Sequence, residues 1–359
     1  MKLRIFLGIA FVFASLILPA QNSASLVVRR FCDSPELEGA STGIHILDLS
    51  SGKTQVSENS GLLLVPASVL KLITTAAALE MLGPDFRFKT DQGYTGMIDT
   101  VSQTLDGNLI IRGGGDPTLG SAMFDKFFKP EDFAENWISA LKSAKIVNIS
   151  GDLILDLSCY ESNNAPGTWA WEDLGNYYGA VPSALTVFDN RVRLFFDSPE
   201  KPGENVKFIR SEPETPGITW KNELRSSAGN RVLSNVYGSP WEEKRLVSGT
   251  IPAGKKDFIV EASMPEPPLC FAYYYLKKLA ENGIILSGEL KITNEPVSFT
   301  PICSAISPPL SEIIKVLNYE SVNLIADHLL LHLALEKFGK GGLLTGLSLI
   351  HSFAKTTGV

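Results

Sequence analysis

A serine three residues ahead of a lysine puts a hydroxyl and an amine on one face of a helix, where the amine can take the hydroxyl's proton and make it a nucleophile. The chain carries this spacing four times, at Ser50/Lys53, Ser68/Lys71, Ser139/Lys142 and Ser198/Lys201. Context separates them. Ser50 lies in a Ser-Ser-Gly turn, Ser198 precedes Pro199 in a polar loop, and Ser139 falls inside a surface helix. Only Ser68 opens a strongly apolar helix, Val69 to Leu79. On position alone Ser68 reads equally well as an N-cap, which serine favours. Lys71 tips the balance. It is flanked by Leu70 and Leu72, and a lysine against apolar surface loses proton affinity and can serve as a base. The helix N-terminus adds N–H donors and positive potential for a developing oxyanion. Ser-x-Asn occurs three times, at Ser57/Asn59, Ser162/Asn164 and Ser321/Asn323. The first two lie in polar loops. The third directly precedes a long apolar helix, where a cap is the plainer reading.

Other arrangements fit less well. Gly39-Ala40-Ser41-Thr42-Gly43 matches Gly-x-Ser-x-Gly with His45 close by, but a nucleophile elbow needs a strand before it and a helix after it. Here a polar segment precedes and a strand follows. His328 and His332 lie one turn apart, as metal ligands can, yet their neighbours are leucines and no glutamate takes the second position, which favours a structural pair. No Ser-His-Asp set is then left. Gly113-Gly114-Gly115-Asp116-Pro117 fits neither the P-loop nor the dinucleotide fingerprint and reads as a tight turn after a strand.

The elements that must position Ser68, Lys71, Ser321 and Asn323 span a chain of 359 residues, enough for two or three domains. A hydrophobic fraction of 44% with 20% charged residues is that of a globular protein, and a net charge of −7 excludes a generally basic nucleic-acid binder. Met1-Lys2-Leu3-Arg4, an apolar run from Ile5 to Leu18 and the small residues after it read as a secretory signal peptide over 1–24, cut near Ala20 or Ala24. The mature protein is then expected to be extracytoplasmic, in the periplasm, without a stable membrane span. No cysteine lies at the cut, which argues against a lipid anchor. Cys32, Cys159, Cys270 and Cys303 are too far apart for a zinc or iron–sulfur motif; in an oxidising compartment they could pair, with connectivity open.

Residues 43–49 read as a strand, 53–56 as its return, and a helix follows Pro66-Ala67-Ser68 to about Leu82, stopped by Gly83-Pro84. From about 90 to 300 short apolar runs alternate with turn clusters, a β-rich texture with helices over 136–145 and 271–282. After Pro308-Pro309 the pattern turns helical, over 310–317, 323–338 and 343–355.

Taken together these residues resemble a known family. Val65-Pro66-Ala67-Ser68-Val69-Leu70-Lys71 is similar to the first motif of penicillin-binding proteins, and Ser321-Val322-Asn323 to their second. The separation between them is far longer than in β-lactamases. It resembles that of the D-alanyl-D-alanine carboxypeptidase/endopeptidases of the penicillin-binding protein 4 type, which carry a large insertion there. Gly107 to Leu119, Pro166 to Ala180 and Ser307-Pro308-Pro309-Leu310 are also similar to segments of that family. The resemblance implies an α+β fold: a transpeptidase-like domain, an antiparallel sheet with helices on both faces, made of 25–90 and 305–359 and interrupted by a β-rich insertion over 91–304. It implies attack by Ser68, Lys71 as base, Ser321 as proton relay, and Asn323 holding the substrate amide and helping to orient Lys71. Asp173 and Tyr178 would sit near the pocket for the diamino acid side chain. The implied partners are peptidoglycan stem peptides and acylating β-lactams, with no metal or organic cofactor and no nucleic acid. A non-catalytic peptidoglycan-binding protein of the same fold is the alternative reading, and a β-lactamase a weaker one.

The family's third motif, Lys-Thr-Gly or Lys-Ser-Gly on an edge strand, has no literal match. Lys355-Thr356-Thr357-Gly358 reads as a helix end with a glycine stop. The chain therefore reads as truncated. On that expectation the 359-residue protein is inactive or nearly so and only marginally stable, and it exposes unpaired strand edges and apolar helix faces, so it binds a hydrophobic dye, aggregates or needs a partner. A protein that excludes the dye, unfolds cooperatively and cleaves at family-like rates overturns the expectation.

Overall fold

A computed structural model describes residues 23–358. Residues 1–22 of the expected signal peptide lie outside the described residues. Among the described residues no helix is long and apolar enough to cross a membrane. Two compact units divide at Ala67/Ser68.

The first unit holds helix α1 (Ser23–Cys32) and an antiparallel hairpin of Ile44–Asp48 with Lys53–Glu58. Asp48 closes the hairpin: its Oδ1 accepts from the Ser50 and Ser51 amides at 2.9 and 3.1 Å, and Gly52 takes φ +68°. Asp–Ser turn chemistry of this kind sets the strand register. His45 reaches across to Thr54 Oγ1 at 3.1 Å, so the histidine beside the Gly-x-Ser-x-Gly match is a cross-strand partner on a strand that follows the motif.

The second unit begins with the one-turn 3₁₀ segment Ala67–Leu70 and helix α2 (Lys71–Leu82), which ends at Gly83 with φ +86° just before Pro84. A five-stranded sheet follows, in the order Leu290–Thr293, Leu153–Asp156, Leu109–Arg112, Lys89–Tyr94 and Thr300–Ile306. Leu109, Ile110 and Ile111 are fully buried, as a central strand covered on both faces requires. Helices α3 (Asp132–Ser143) and α4 (Pro267–Glu281) supply the aromatic core. Trp137 meets Phe133, Tyr275 and Phe271 edge-on at 5.4, 5.6 and 6.3 Å between centroids. Both helices start one turn earlier than their apolar patterns suggest. Asp132 and Glu135 favour the first turn of α3, and Pro267 is tolerated at the start of α4. Two three-stranded sheets centred on Arg191–Asp197 and Lys244–Pro252, and one of four short strands, complete the β-rich stretch.

Three helices close the unit: α5 (Leu310–Glu320), α6 (Asn323–Phe338) and α7 (Leu343–Thr357). α7 ends on Gly358 in the left-handed conformation, so Lys355 sits in the last turn of a helix. The ends of the 91–304 stretch lie side by side, Lys89–Tyr94 pairing antiparallel with Thr300–Ile306. The stretch is not a separate body, however. Phe124 and Ala180 share one buried cluster with Ala78 and Phe88 before them and with Leu310, Leu317, Ile325 and Leu329 after them.

The cysteines do not pair. All four are free thiols. Burial pushes the Cys159 and Cys270 thiols up to about 12, and Cys270 and Cys303 hydrogen-bond Pro265 O and Gln92 Nε2 instead.

Trp137 is 1% exposed at the centre of the aromatic cluster. Truncation to alanine leaves a large cavity, so Trp137→Ala should lose about 3–5 kcal/mol of stability. Urea unfolding should show a lower midpoint at unchanged slope. An unshifted midpoint would mean that this cluster does not bear on the fold.

Candidate active site

Ser68 and Lys71 are brought together by the 3₁₀ turn. With three residues per turn, positions i and i+3 eclipse, and Lys71 Nζ lies 3.0 Å from Ser68 Oγ. The serine caps nothing: α2 has no side-chain cap, and the Ser68 hydroxyl is spent on the lysine. Ala67, just before the serine, has φ +45°, a conformation an alanine rarely adopts.

Lys71 Nζ also reaches Ser321 Oγ, at 3.3 Å. Ser321 ends α5 in the left-handed conformation, φ +57° and ψ 40°, at the corner where the chain turns into α6. Its hydroxyl makes no helix cap either, so here too the plainer reading gives way. Asn323, the first residue of α6, does not hydrogen-bond Lys71 among the described contacts. Its Nδ2 donates to Tyr178 O at 2.9 Å, and that commitment takes the amide towards the 172–180 loop. The expected help of Asn323 in orienting Lys71 is therefore not what this geometry offers; Ser321 makes that contact.

Tyr178 joins the remaining pair. Its hydroxyl donates to Asp173 Oδ1 at 3.1 Å. Burial, then the bond to Asp173, raises the phenol's pKa, so it stays a donor. The loop that carries both residues is pinned by the insertion. Asn176 accepts from the Val236 amide at 3.1 Å and donates to Glu172 O at 2.7 Å. Ser263 Oγ donates to Leu174 O at 2.6 Å, and the Ser263 amide to Gly175 O at 2.9 Å. Glycine is required at 175, because a Cβ there would stand 2.1 Å from Val236 O.

Burial lowers the Lys71 pKa, and the charge of Asp327 pulls it part of the way back. Leu70 and Leu72 are 51% and 56% exposed, so the desolvation does not come from their forming a closed apolar wall. Asp327 itself was not legible as a site residue. It lies one turn beyond Asn323 on the same face of α6, and burial pushes its carboxyl up to about 7. An acid inside the run Leu324 to Leu333 was the available signal.

The two histidines of α6 hold the helix in place. His328 Nε2 lies 2.9 Å from Thr186 Oγ1 and its Nδ1 3.3 Å from Tyr160 OH, which also donates to Gly115 O. His332 packs edge-on against Phe88 at 4.6 Å. Gly113 to Asp116 thus belongs to the scaffold behind α6, with Asp116 buried and bonded to Thr118. The other Ser-x-x-Lys serines do structural work. Ser198 donates to Pro252 O, Ser50 bonds Asp48, and Ser139 lies on α3.

A hydroxyl and an amine in contact, with a second hydroxyl on the same amine, are chemically able to serve as nucleophile, base and relay in acyl transfer. Residues 25–359 match the D-Ala-D-Ala carboxypeptidase 3 (S13) family, and the chain belongs to it. It is 26% identical over 317 residues to a D-alanyl-D-alanine carboxypeptidase of Actinomadura sp. (strain R39), covering 86% of this chain and 57% of that one. It is 25% identical over 293 residues to D-alanyl-D-alanine carboxypeptidase DacB of Haemophilus influenzae, covering 81% and 58%. The chain thus spans less than two thirds of these relatives' length. The crystal structure of penicillin binding protein 4 from Haemophilus influenzae superposes with a TM-score of 0.74 at 23% identity, over 88% of this chain and 68% of that one, and supports the α+β fold.

Burial pushes His328 down to about 3 from 6.5. The unfolded chain then binds the extra proton first. The stability His328 contributes is complete above its unfolded pKa and lost as pH falls from there towards the folded one. The advantage of the wild type over His328→Gln should shrink by about 2 kcal/mol between pH ~7 and ~5. Parallel stability curves in urea would show that His328 is not held neutral.

Proposed function

We propose that this chain carries the acyl-transfer site of a serine D-Ala-D-Ala carboxypeptidase/endopeptidase acting on peptidoglycan stem peptides. The observation that supports it most directly is Lys71 Nζ lying within hydrogen-bond reach of both Ser68 Oγ and Ser321 Oγ. Uncharged, the Lys71 amine accepts the Ser68 proton as Oγ attacks the carbonyl of the penultimate D-Ala. The proton passes by way of Ser321 to the departing amine, leaving an acyl-serine that water releases. Asn323, held by Tyr178 O, presents its amide to the substrate backbone. Asp173, with Tyr178 fixing its carboxylate, suits an ammonium on the diamino acid side chain.

The same reading takes 25–90 and 305–359 as parts of the catalytic domain and 91–304 as its insertion. The pairing of Lys89–Tyr94 with Thr300–Ile306 at the neck supports that division. β-Lactams are then acylating inhibitors, which fits the name of the Haemophilus influenzae relative. The protein acts outside the cytoplasm, in the periplasm, after removal of 1–24.

A fluorescent penicillin should form an adduct with the protein that disappears in Ser68→Ala and persists in Ser139→Ala. Lys71→Ala should slow acylation about 10²–10⁴-fold, and Lys71→Arg should not restore it, because a guanidinium stays protonated. Labelling that survives Ser68→Ala would remove the nucleophile. A protein that binds peptidoglycan yet never labels would favour a non-catalytic member of the fold, and rapid turnover of the adduct a β-lactamase.

A further inference from the structure

Asp327 is an acidic side chain of the site helix α6, and no step assigned above uses it. It follows Asn323 by four residues, so both occupy one face of α6 a turn apart. α6 packs against α2, the helix that Lys71 opens. The Oδ2 of Asp327 is buried and has no hydrogen-bond partner. A buried carboxylate oxygen left unpaired is costly to keep and is normally satisfied. Asp327 forms no ion pair within 4 Å among the described residues, and the charge of Lys71 acts on it against the effect of burial.

Several titratable groups on α6 and on elements packed against it have partners of their own. On α5, Glu312 pairs with Lys315 and Lys126. On the 177–179 turn, Tyr178 donates to Asp173. On α6 itself, His328 bonds Thr186 and Tyr160, and His332 lies against the Phe86 and Phe88 rings and Glu336. Glu80 of α2, Tyr319 and Glu320 of α5, Tyr177, and His351 and Lys355 of α7 are the other titratable groups on the elements packed against α6.

We infer that Asp327 is a positioning residue for acyl transfer: when ionised, a counter-charge set one turn behind Asn323 for the ammonium that Lys71 becomes when it takes the Ser68 proton. No bond to Asp327 forms or breaks. The proton moves from Ser68 Oγ to Lys71 Nζ, the positive charge appears on Nζ, and the buried carboxylate offsets it without touching the substrate. A pair in which each charge biases the other also couples their titrations. The inference rests on Lys71 being the base, and its test is chosen to read the coupling without any turnover.

Lysine labelled at Cε with ¹³C reports each amine's titration by NMR, and the Lys71 signal is the one absent from Lys71→Arg. In the wild-type 359-residue protein the Lys71 signal should show a second inflection near Asp327's own midpoint of about 7. In Asp327→Asn that inflection should vanish and Lys71 should deprotonate at a pH lower by about one unit, a tenfold loss of proton affinity. Asp327→Glu should restore both features. A wild-type Lys71 signal without an inflection there overturns the inference whether or not the variants fold, as does an unchanged Lys71 titration in a folded Asp327→Asn. If the coupling is present and penicillin labelling of Ser68 fails, the proposed function falls while the charge pairing stands.

Discussion

One lysine amine must lie within hydrogen-bond reach of two hydroxyls, and the rest of the structure answers to that demand. Ser68 costs little to place, since a single 3₁₀ turn eclipses it with Lys71. Ser321 comes from the corner between α5 and α6, at the far end of the chain. A displacement of about 1 Å at such a contact can cost about 10²-fold in rate. Whatever fixes the depth and roll of α6 is therefore part of the chemistry, even where it never approaches the reacting atoms.

Apolar packing alone would fix α6 poorly. Leu324, Ile325, Leu329, Leu331 and Leu333 are all buried, so the helix is greasy on every side and has no single stripe to set its rotation. The polar groups break that degeneracy. Thr186 and Tyr160 take both ring nitrogens of His328, and Tyr178 O takes the Asn323 amide. Each partner lies in the 91–304 stretch. Burial, by keeping His328 uncharged, keeps its two-sided bonding intact. The stretch that interrupts the sequence between the two motifs thus supplies the pegs that hold the second motif against the first.

How much of this was legible in the sequence follows from the range of the interactions. Ser68 with Lys71 is a local pair on one turn, and context singled it out. The helices over 310–338 were legible from apolar runs with proline and glycine stops. Gly358 closes α7 as the pattern suggests. The pairing of Lys71 with Ser321 could be named only through family resemblance, because no periodicity links residues so far apart. The turn of Asn323 towards Tyr178 O was not legible at all. It depends on a loop whose position is set by Val236 on one strand and by Ala262 and Ser263 on another. His328 and His332 read correctly as structural because leucines surround them. Asp327, one residue earlier in the same run, passed unnoticed because an acid's role depends on which charge faces it across a helix interface.

Some departures from local preference fall next to these residues in sequence. Ser321 is left-handed without being glycine, and Ala67, which precedes Ser68, has φ +45°. Phe188, Asp189 and Asn190 form three consecutive residues of positive φ, separated by Val187 alone from Thr186, the peg of His328. Such residues cost about 1–3 kcal/mol each and persist only where the surroundings over-determine them. Here the surroundings do so. Asn190 Nδ2 donates to both Val181 O and Thr186 Oγ1, and the Phe188 amide donates to Leu119 O. Gly120 admits the Phe188 ring, which a Cβ would meet at 2.8 Å. Part of the backbone strain thus falls on segments that bear on α6, and the well-packed aromatic core around Trp137 can offset it. Stability drawn from one part of the fold thereby sustains a geometry at Lys71 that the local sequence would not adopt by itself.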